Sequence, residues 1–294
     1  WKDQVDRYLD AMIKELKATA KLMQGKTLDT VYIGGGTPTT LEADQLDRLL
    51  GTIRENFDLE HVLEFTVEAG RPDSITREKL EVIRKYPVTR ISVNPQTMQQ
   101  KTLDLVGRKH TVEDVEHIFH LARELGFDNI NMDLIAGLPG EDAADMQNTL
   151  EKIEKLHPDS LTVHALAIKR AAKFGQEGRT IDPGTEITQM VEDAAACAGR
   201  MGLVPYYLYR QKNIAGNFEN VGYAGRDKAG VYNILIMEEK QAILACGAGA
   251  STKRVWNLPD GYHIERCENV KDIKQYIARI DEMIERKKAL FEKD

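Results

Sequence analysis

The sequence predicts an α/β protein: a partial parallel (β/α) barrel lacking its first strand, followed by a C-terminal α+β extension. Three observations carry that expectation. Five times in the first 160 or so residues, a short apolar run precedes a segment of helical period. Glu68, Gln96, Asp133 and His164 stand within or just past the C-terminal ends of four of those runs. Polar side chains gathered from several strands at one rim mark a barrel, whereas an open doubly wound sheet gathers them at one crossover. After about residue 170 the rhythm stops, which sets the expected boundary between a barrel region, 1–170, and a substrate or auxiliary region, 171–294.

Residues 3–23 open the chain with Val5, Tyr8, Leu9, Met12, Ile13, Leu16 and Met23 at helical spacing. The first strand, Thr30–Ile33, runs into Gly34-Gly35-Gly36-Thr37-Pro38-Thr39. Three glycines add no side chain to a core. They bare the backbone and allow positive φ, so a polar small molecule can lie against the main chain. Thr39-x-x-Glu42 reads as a capping box for a helix over residues 41–56. Strands follow at 62–67, 89–93, 130–135 and 160–166, with helices expected at 76–86, 112–125 and 142–156 and a Gly137-Leu138-Pro139-Gly140 turn between the last two strands.

Beyond the barrel region, a helix is expected over 186–201, and then an aromatic, polar stretch, Tyr206-Tyr207-Leu208-Tyr209-Arg210-Gln211-Lys212-Asn213. A short strand at 243–246 leads into Gly247-Ala248-Gly249, which reads equally as a weak ligand loop or a close-packed turn. Ile273, Tyr276, Ile277, Ile280, Met283, Ile284 and Phe291 form an apolar stripe on a charged final helix, the mark of a face docked on the body of the protein.

Composition narrows the function classes. A net charge of −7 and the lack of a basic stripe argue against a nucleic-acid partner. No apolar run is long enough to span a bilayer, and no signal peptide opens the sequence. Cys197, Cys246 and Cys267 are too few for a disulfide framework, so a reducing, cytoplasmic setting is expected. Their spacing fits no metal-ligand pattern, and each reads as a small hydrophobe.

The ordered motifs, together with Tyr209-Arg210-Gln211-Lys212-Asn213-Ile214-Ala215-Gly216-Asn217-Phe218-Glu219-Asn220-Val221-Gly222-Tyr223, resemble the radical S-adenosylmethionine superfamily. Within it the chain is similar to the oxygen-independent coproporphyrinogen III dehydrogenase group and its haem-chaperone relatives, and most to the HemZ branch. The resemblance spans roughly residues 30–254. It implies that Gly34, Gly35, Gly36 and Thr37 hold the methionyl ammonium of S-adenosylmethionine through backbone carbonyls. It also implies that Glu68 contacts this cofactor, that Gln96, Arg108 and Asp133 contact a second S-adenosylmethionine, and that Ala167 lines the site. Those residue types suit such contacts, since carboxylates accept from ribose hydroxyls or an ammonium and an arginine pairs with a carboxylate.

By the same resemblance, the parent protein cleaves S-adenosylmethionine at a [4Fe-4S] cluster, using an electron partner, and acts on a tetrapyrrole. Hydrogen abstraction from a propionate of coproporphyrinogen III, then loss of CO₂ and one electron, would leave a vinyl group. The alternative is a haem-binding chaperone without turnover, with His164 or His263 as axial ligand. Arg170 or Arg210 is a candidate partner for substrate carboxylates on charge alone. The family's C-x3-C-x2-C cluster motif does not occur, and Trp1 is expected to lie just downstream of it, making this chain an inactive piece of a longer protein. No metal ligands, and no catalytic residue beyond the cofactor contacts, are legible. Asn94-Pro95 before Gln96 and Gly70-Arg71 after Glu68 depart from the family pattern and leave the substrate open.

Overall fold

The computed structural model describes residues 2–166, 183–210 and 219–293. Its centre is a seven-stranded sheet of order β1-β2-β3-β4-β5-β7-β6. The strands are β1 (Thr30–Ile33), β2 (Glu64–Gly70), β3 (Arg90–Val93), β4 (Ile130–Ala136), β5 (Ser160–Ala165), β6 (Val204–Arg210) and β7 (Glu219–Ala224). β1 to β5 pair in parallel in chain order, as the strand–helix rhythm requires. β7 then pairs antiparallel with both β5 and β6. The expected partial parallel barrel is thus a curled half-barrel, extended at one edge by an antiparallel pair.

Helices α1 (Lys2–Leu22), α2 (Ala43–Asn56), α3 (Arg77–Arg84), α4 (Gln100–Leu105), α5 (Val112–Glu124), α6 (Ala143–Leu156) and α7 (Pro183–Arg200) include those that cover the outer face. Their starts follow side-chain caps. Thr76 accepts from the Lys79 N–H, and Thr111–Asp114 and Asp142–Asp145 form capping boxes. The expected box at Thr39 is corrected: the cap of α2 is Glu42, paired with Gln45. Thr39 is buried instead and donates to the Ala69 carbonyl, while the buried Lys79 ammonium donates to the Thr39 carbonyl at 2.7 Å. These bonds pin the end of the glycine loop to the end of β2.

Strand alternation sorts the two faces. Phe65, Val67, Ile91, Ile130, Met132, Leu134, Leu161 and Val163 are buried in one core with Leu46, Leu50, Leu80, Ile83, Val115, Phe119, Leu150 and Ile153 of the helices. The intervening residues are polar. Tyr32, Thr66 and Arg90 share one row of the register, Ser92, Asn131 and Ser160 the next, and Asp133 and Thr162 another.

Helix α8 (Val231–Glu238) reaches both edges of the sheet. The Tyr232 ring stacks on Tyr32 of β1, and Asn233 donates to the Tyr206 hydroxyl of β6 at 3.3 Å. α8 thus links the two edge strands of the half-barrel at this level.

The remainder forms a separate two-stranded sheet, β8 (Ser251–Leu258) with β9 (Gly261–Glu268), and two helices, α9 (Ile273–Ala278) and α10 (Ile280–Phe291). The single final helix expected from the apolar stripe is therefore two, divided at Arg279. The stripe docks as expected: Tyr276, Ile280 and Met283 pack with Ala11 of α1. The strand expected at 243–246 is only an isolated bridge between Ile243 and Lys253.

Beneath this docking lies a buried ion pair. The Glu15 carboxylate, fully buried on α1, accepts from Lys287 Nζ of α10 and from Asn269 Nδ2, each at 2.8 Å, and from the Tyr276 hydroxyl. The Gly247 N–H donates to it at 2.9 Å, and the Ala248 N–H donates to the Tyr8 hydroxyl at 3.2 Å. Gly247-Ala248-Gly249 is thus a turn packed on α1. With Lys287 removed, Glu15 keeps a buried charge with no cation beside it, a situation that costs about 3–5 kcal/mol. We expect Lys287→Met to lower unfolding free energy by that order in urea titration, and Glu15→Gln/Lys287→Met to recover part of the loss.

Candidate functional site

The site sits where β1 and β2 end. β1 delivers Tyr32 into the hollow and then releases the chain as Gly34-Gly35-Gly36-Thr37. β2 delivers Glu68 from the neighbouring strand. The Tyr32 hydroxyl donates to Glu68 Oε1, and the Gly35 N–H donates to the same carboxylate. Gly34 leaves room for this pair: a Cβ there would lie 2.6 Å from Glu68 Oε2 and 2.6 Å from Tyr32 Cε1, so one of the two side chains would have to move. Gly35 has φ of +96°, open to glycine at little cost. Two of the three glycines therefore serve the seating of a carboxylate under the loop. At Gly36 a Cβ would meet nothing within 4 Å, so its space lies open.

Asp133 on β4 faces the same hollow. Its carboxylate accepts from Asn131 Nδ2 at 2.6 Å and lies 3.8 Å from His164 Nε2 on β5. Burial, reinforced by Asp133, raises the Glu68 carboxyl above the ordinary carboxylate range, against the opposing pull of the Tyr32 and Gly35 hydrogen bonds and of Arg90. Burial, followed by the Glu68 charge, also pushes the Tyr32 phenol far up, so it stays a proton donor.

Gln96 follows β3 in a left-handed conformation, φ 70°, unusual for a residue with a side chain. Two backbone bonds hold it against β4: its N–H donates to the Asp133 carbonyl at 3.0 Å, and its carbonyl accepts from the Ile135 N–H at 2.9 Å. Strained backbone of this kind persists where the surroundings dictate it. Arg108 lies on the same rim, beside Arg71 and Asp73 just past β2. Burial and the Arg71 charge lower its pKa, partly offset by Asp73. The charges acting on Arg108 do not include those of Glu68 or Asp133. Ala167, Arg170 and the side chain of Arg210 lie outside the described residues. His263 stands on β9, outside the hollow, with its ring 3.3 Å from Glu265.

Groups left without partners show whether the site fits a polar cofactor. On β3 and just past it, Arg90 Nε, Ser92 Oγ and Asn94 Oδ1 are buried and make no hydrogen bond within the described residues. Such atoms are costly when left bare and suit a bound polar molecule. With Glu68, Asp133 and an open loop backbone, the donor set fits S-adenosylmethionine. A surface groove of about 470 Å³, bounded by Asp73, Arg77, Asp114 and His117, holds none of the candidate residues.

Residues 4–153 match the radical SAM superfamily profile. The chain belongs to the radical SAM superfamily. It is 47% identical over 271 residues to the oxygen-independent coproporphyrinogen-III oxidase-like protein HemZ of Bacillus subtilis, covering 90% of this chain and 54% of that protein. It is 31% identical over 287 residues to the haem chaperone HemW of the same organism, covering 95% and 69%. Among solved structures, coproporphyrinogen III oxidase (HemN) from Escherichia coli superposes with a TM-score of 0.72 at 24% identity, covering 95% of this chain and 63% of that one, and shares the fold. The chain spans about half the length of its HemZ relative.

S-adenosylmethionine and a [4Fe-4S] cluster are the cofactors of the superfamily. The cluster does not fit the cysteines present here. Cys197 is buried in α7 with its thiol 3.6 Å from the Leu150 carbonyl. Cys246 is beside Thr19 and Lys287, each at 3.4 Å, and Cys267 is on β9. Of the three, only Cys197 is fully buried as a small hydrophobe should be. Among the described residues, no group of three cysteine, histidine or carboxylate side chains converges to hold a metal. Anaerobic incubation of this chain with iron and sulfide is expected to give no stoichiometric [4Fe-4S] absorption band; a band abolished by replacing these three cysteines is the contrary outcome.

Sequence reasoning missed Tyr32, Arg90 and Tyr232. Counting by twos towards the N-terminus, from Gly34 on one strand and Glu68 on the next, reaches Tyr32, Thr66 and Glu64, and that alternation was the available signal. Tyr232 had none, since its place depends on a helix distant in sequence.

Proposed function

We propose that this chain is the S-adenosylmethionine-holding part of a radical enzyme of tetrapyrrole metabolism, and that the whole protein decarboxylates propionates of coproporphyrinogen III to vinyl groups without oxygen. The single observation that carries the cofactor role is the Glu68 carboxylate, seated beneath Gly34 and Gly35 at the C-terminal end of the strands and sharing the hollow with Asp133. The similarity to HemZ, and to relatives named as coproporphyrinogen oxidases, supports the substrate class.

In this reading the loop carbonyls of Gly34, Gly35 and Gly36, with Thr37, orient the methionyl ammonium. Glu68 accepts hydrogen bonds from the same cofactor. Asp133 and Gln96 line the opposite strands, and Arg108 on the rim offers a guanidinium to a carboxylate. When bound, the cofactors supply a hydrogen-abstracting radical; the residues of this chain position them and keep water from the hollow. An electron partner completes the reaction and has no assigned surface here.

A second reading is a haem chaperone. It draws on the HemW similarity and on His164, which points into the hollow beside Asp133. The two readings diverge in one experiment on the anaerobically prepared full-length protein. Carbon dioxide release from coproporphyrinogen III supports the enzyme. Stoichiometric haem binding that is lost in His164→Ala, without carbon dioxide release, supports the chaperone. In either case Glu68→Ala is expected to weaken S-adenosylmethionine binding by about 1–3 kcal/mol, the usual loss for hydrogen bonds to a charged group, read by calorimetric titration.

A further inference from the structure

We propose that Tyr32 is the positioning residue of the Glu68 carboxylate and that Tyr232 holds Tyr32 in place, so that the C-terminal part of the chain sets the affinity of the S-adenosylmethionine site. The inference rests on the reading above that Glu68 meets the cofactor.

A carboxylate at the end of a strand can rotate, and a productive one must present chosen lone pairs. Here the Tyr32 hydroxyl takes one lone pair of Oε1, and the Gly35 N–H takes another from the same carboxylate. The remaining acceptor capacity stays available to a ligand. Tyr32 is a neutral donor, so it steadies the ionised form without forming a salt bridge that would neutralise it.

Tyr32 is itself positioned from afar. Its ring stacks on Tyr232 with centroids 4.2 Å apart and planes 17° from parallel. Tyr232 begins α8, whose first turn is anchored on the same strand that carries Glu68. The Val231 N–H donates to Glu64 Oε2 at 2.5 Å and the Tyr232 N–H to Glu64 Oε1 at 3.4 Å. Glu64 and Glu68, four residues apart on β2, therefore fix the two ends of one assembly: Glu64 holds the helix, the helix holds Tyr232, Tyr232 holds Tyr32, and Tyr32 holds Glu68. Nothing else in the cofactor reading uses Tyr32 or Tyr232.

The titratable and charged groups around Glu68 are Tyr32 from β1, Arg90 from β3, Asp133 from β4 with His164 of β5 beside it, and Tyr232 from α8. Without the Tyr32 hydroxyl, burial and Asp133 are less opposed. The Glu68 carboxyl then protonates at higher pH, and the protonated form is a poorer acceptor for an ammonium or a ribose hydroxyl.

The test uses full-length protein as wild type, Tyr32→Phe, Tyr232→Phe and Tyr232→Ala. Calorimetric titration with S-adenosylmethionine at pH 6 and pH 8 is combined with carbon-13 NMR of glutamate carboxyls, Glu68 being assigned through Glu68→Gln. Tyr32→Phe is expected to weaken binding about tenfold at pH 6, with a smaller loss at pH 8, and to move the Glu68 titration midpoint upward. Tyr232→Phe keeps the stack and matches wild type, whereas Tyr232→Ala shifts affinity and midpoint in the direction of Tyr32→Phe. An unmoved Glu68 midpoint and unchanged affinity in Tyr32→Phe overturn the positioning role. A Tyr232→Ala protein that binds as wild type overturns the coupling to the C-terminal part. Failure of the cofactor reading looks different: Glu68→Ala then binds S-adenosylmethionine as wild type does, while the NMR midpoint still reports whether Tyr32 holds the carboxylate.

Discussion

Every second residue of the parallel strands turns into the hollow of the half-barrel, and there the strands carry polar groups instead of the apolar ones usual for a parallel sheet. Glu64, Thr66, Arg90, Ser92, Asn131, Ser160 and Thr162 are all buried on or near this face. A polar interior is stable only when its members are bonded to one another or to something that enters. Ser160 and Thr162 donate to Asn131 Oδ1 at 2.9 and 3.1 Å, and Arg90 reaches Ser160. Glu64 is satisfied by the start of α8, whose N–H groups and dipole both favour an anion. Beside these pairs, Arg90 Nε, Ser92 Oγ and Asn94 Oδ1, on β3 and just past it, are buried without a hydrogen-bond partner among the described residues. The hollow thus mixes bonded polar groups with unpartnered ones along β3, and the unpartnered ones suit a polar molecule that enters.

Two carboxylates in the molecule illustrate opposite solutions to burial. Glu15 is matched by a cation and three further donors and ties the two ends of the chain together. Glu68 has only neutral donors in direct contact. The first arrangement is complete and structural. The second leaves charge in search of a partner, which suits a ligand that arrives with its own positive group.

The parallel strands were legible because short apolar runs follow one another with segments of helical period between them, and β1 to β5 pair in parallel in that order. The same local rules misread Thr39: a capping pattern in sequence says nothing of a competing carbonyl, and Ala69 on the next strand won its hydroxyl. Glu68 and Asp133 were legible from their strand ends, and Gly35 from its need for positive φ. Arg108 was named by motif, and the charged groups beside it are Arg71 and Asp73, a relation that no spacing rule encodes. The division of the final helix at Arg279 was invisible to an apolar stripe that runs through both pieces. What sequence patterns could not supply was contact across long separations, and Tyr232 on Tyr32 is the plainest case.

That separation bears on how the protein is made. The Glu64 bond to Val231 joins residues 167 apart. Contacts of such span form late, because a long loop must close before they repay its entropy. A chain emerging from the ribosome has all five parallel strands once residue 165 is out, but still lacks the helix that spans the sheet's two edges. The stack of Tyr232 on Tyr32, and with it the second support of the Tyr32–Glu68 bond, is therefore complete only once α8 has docked.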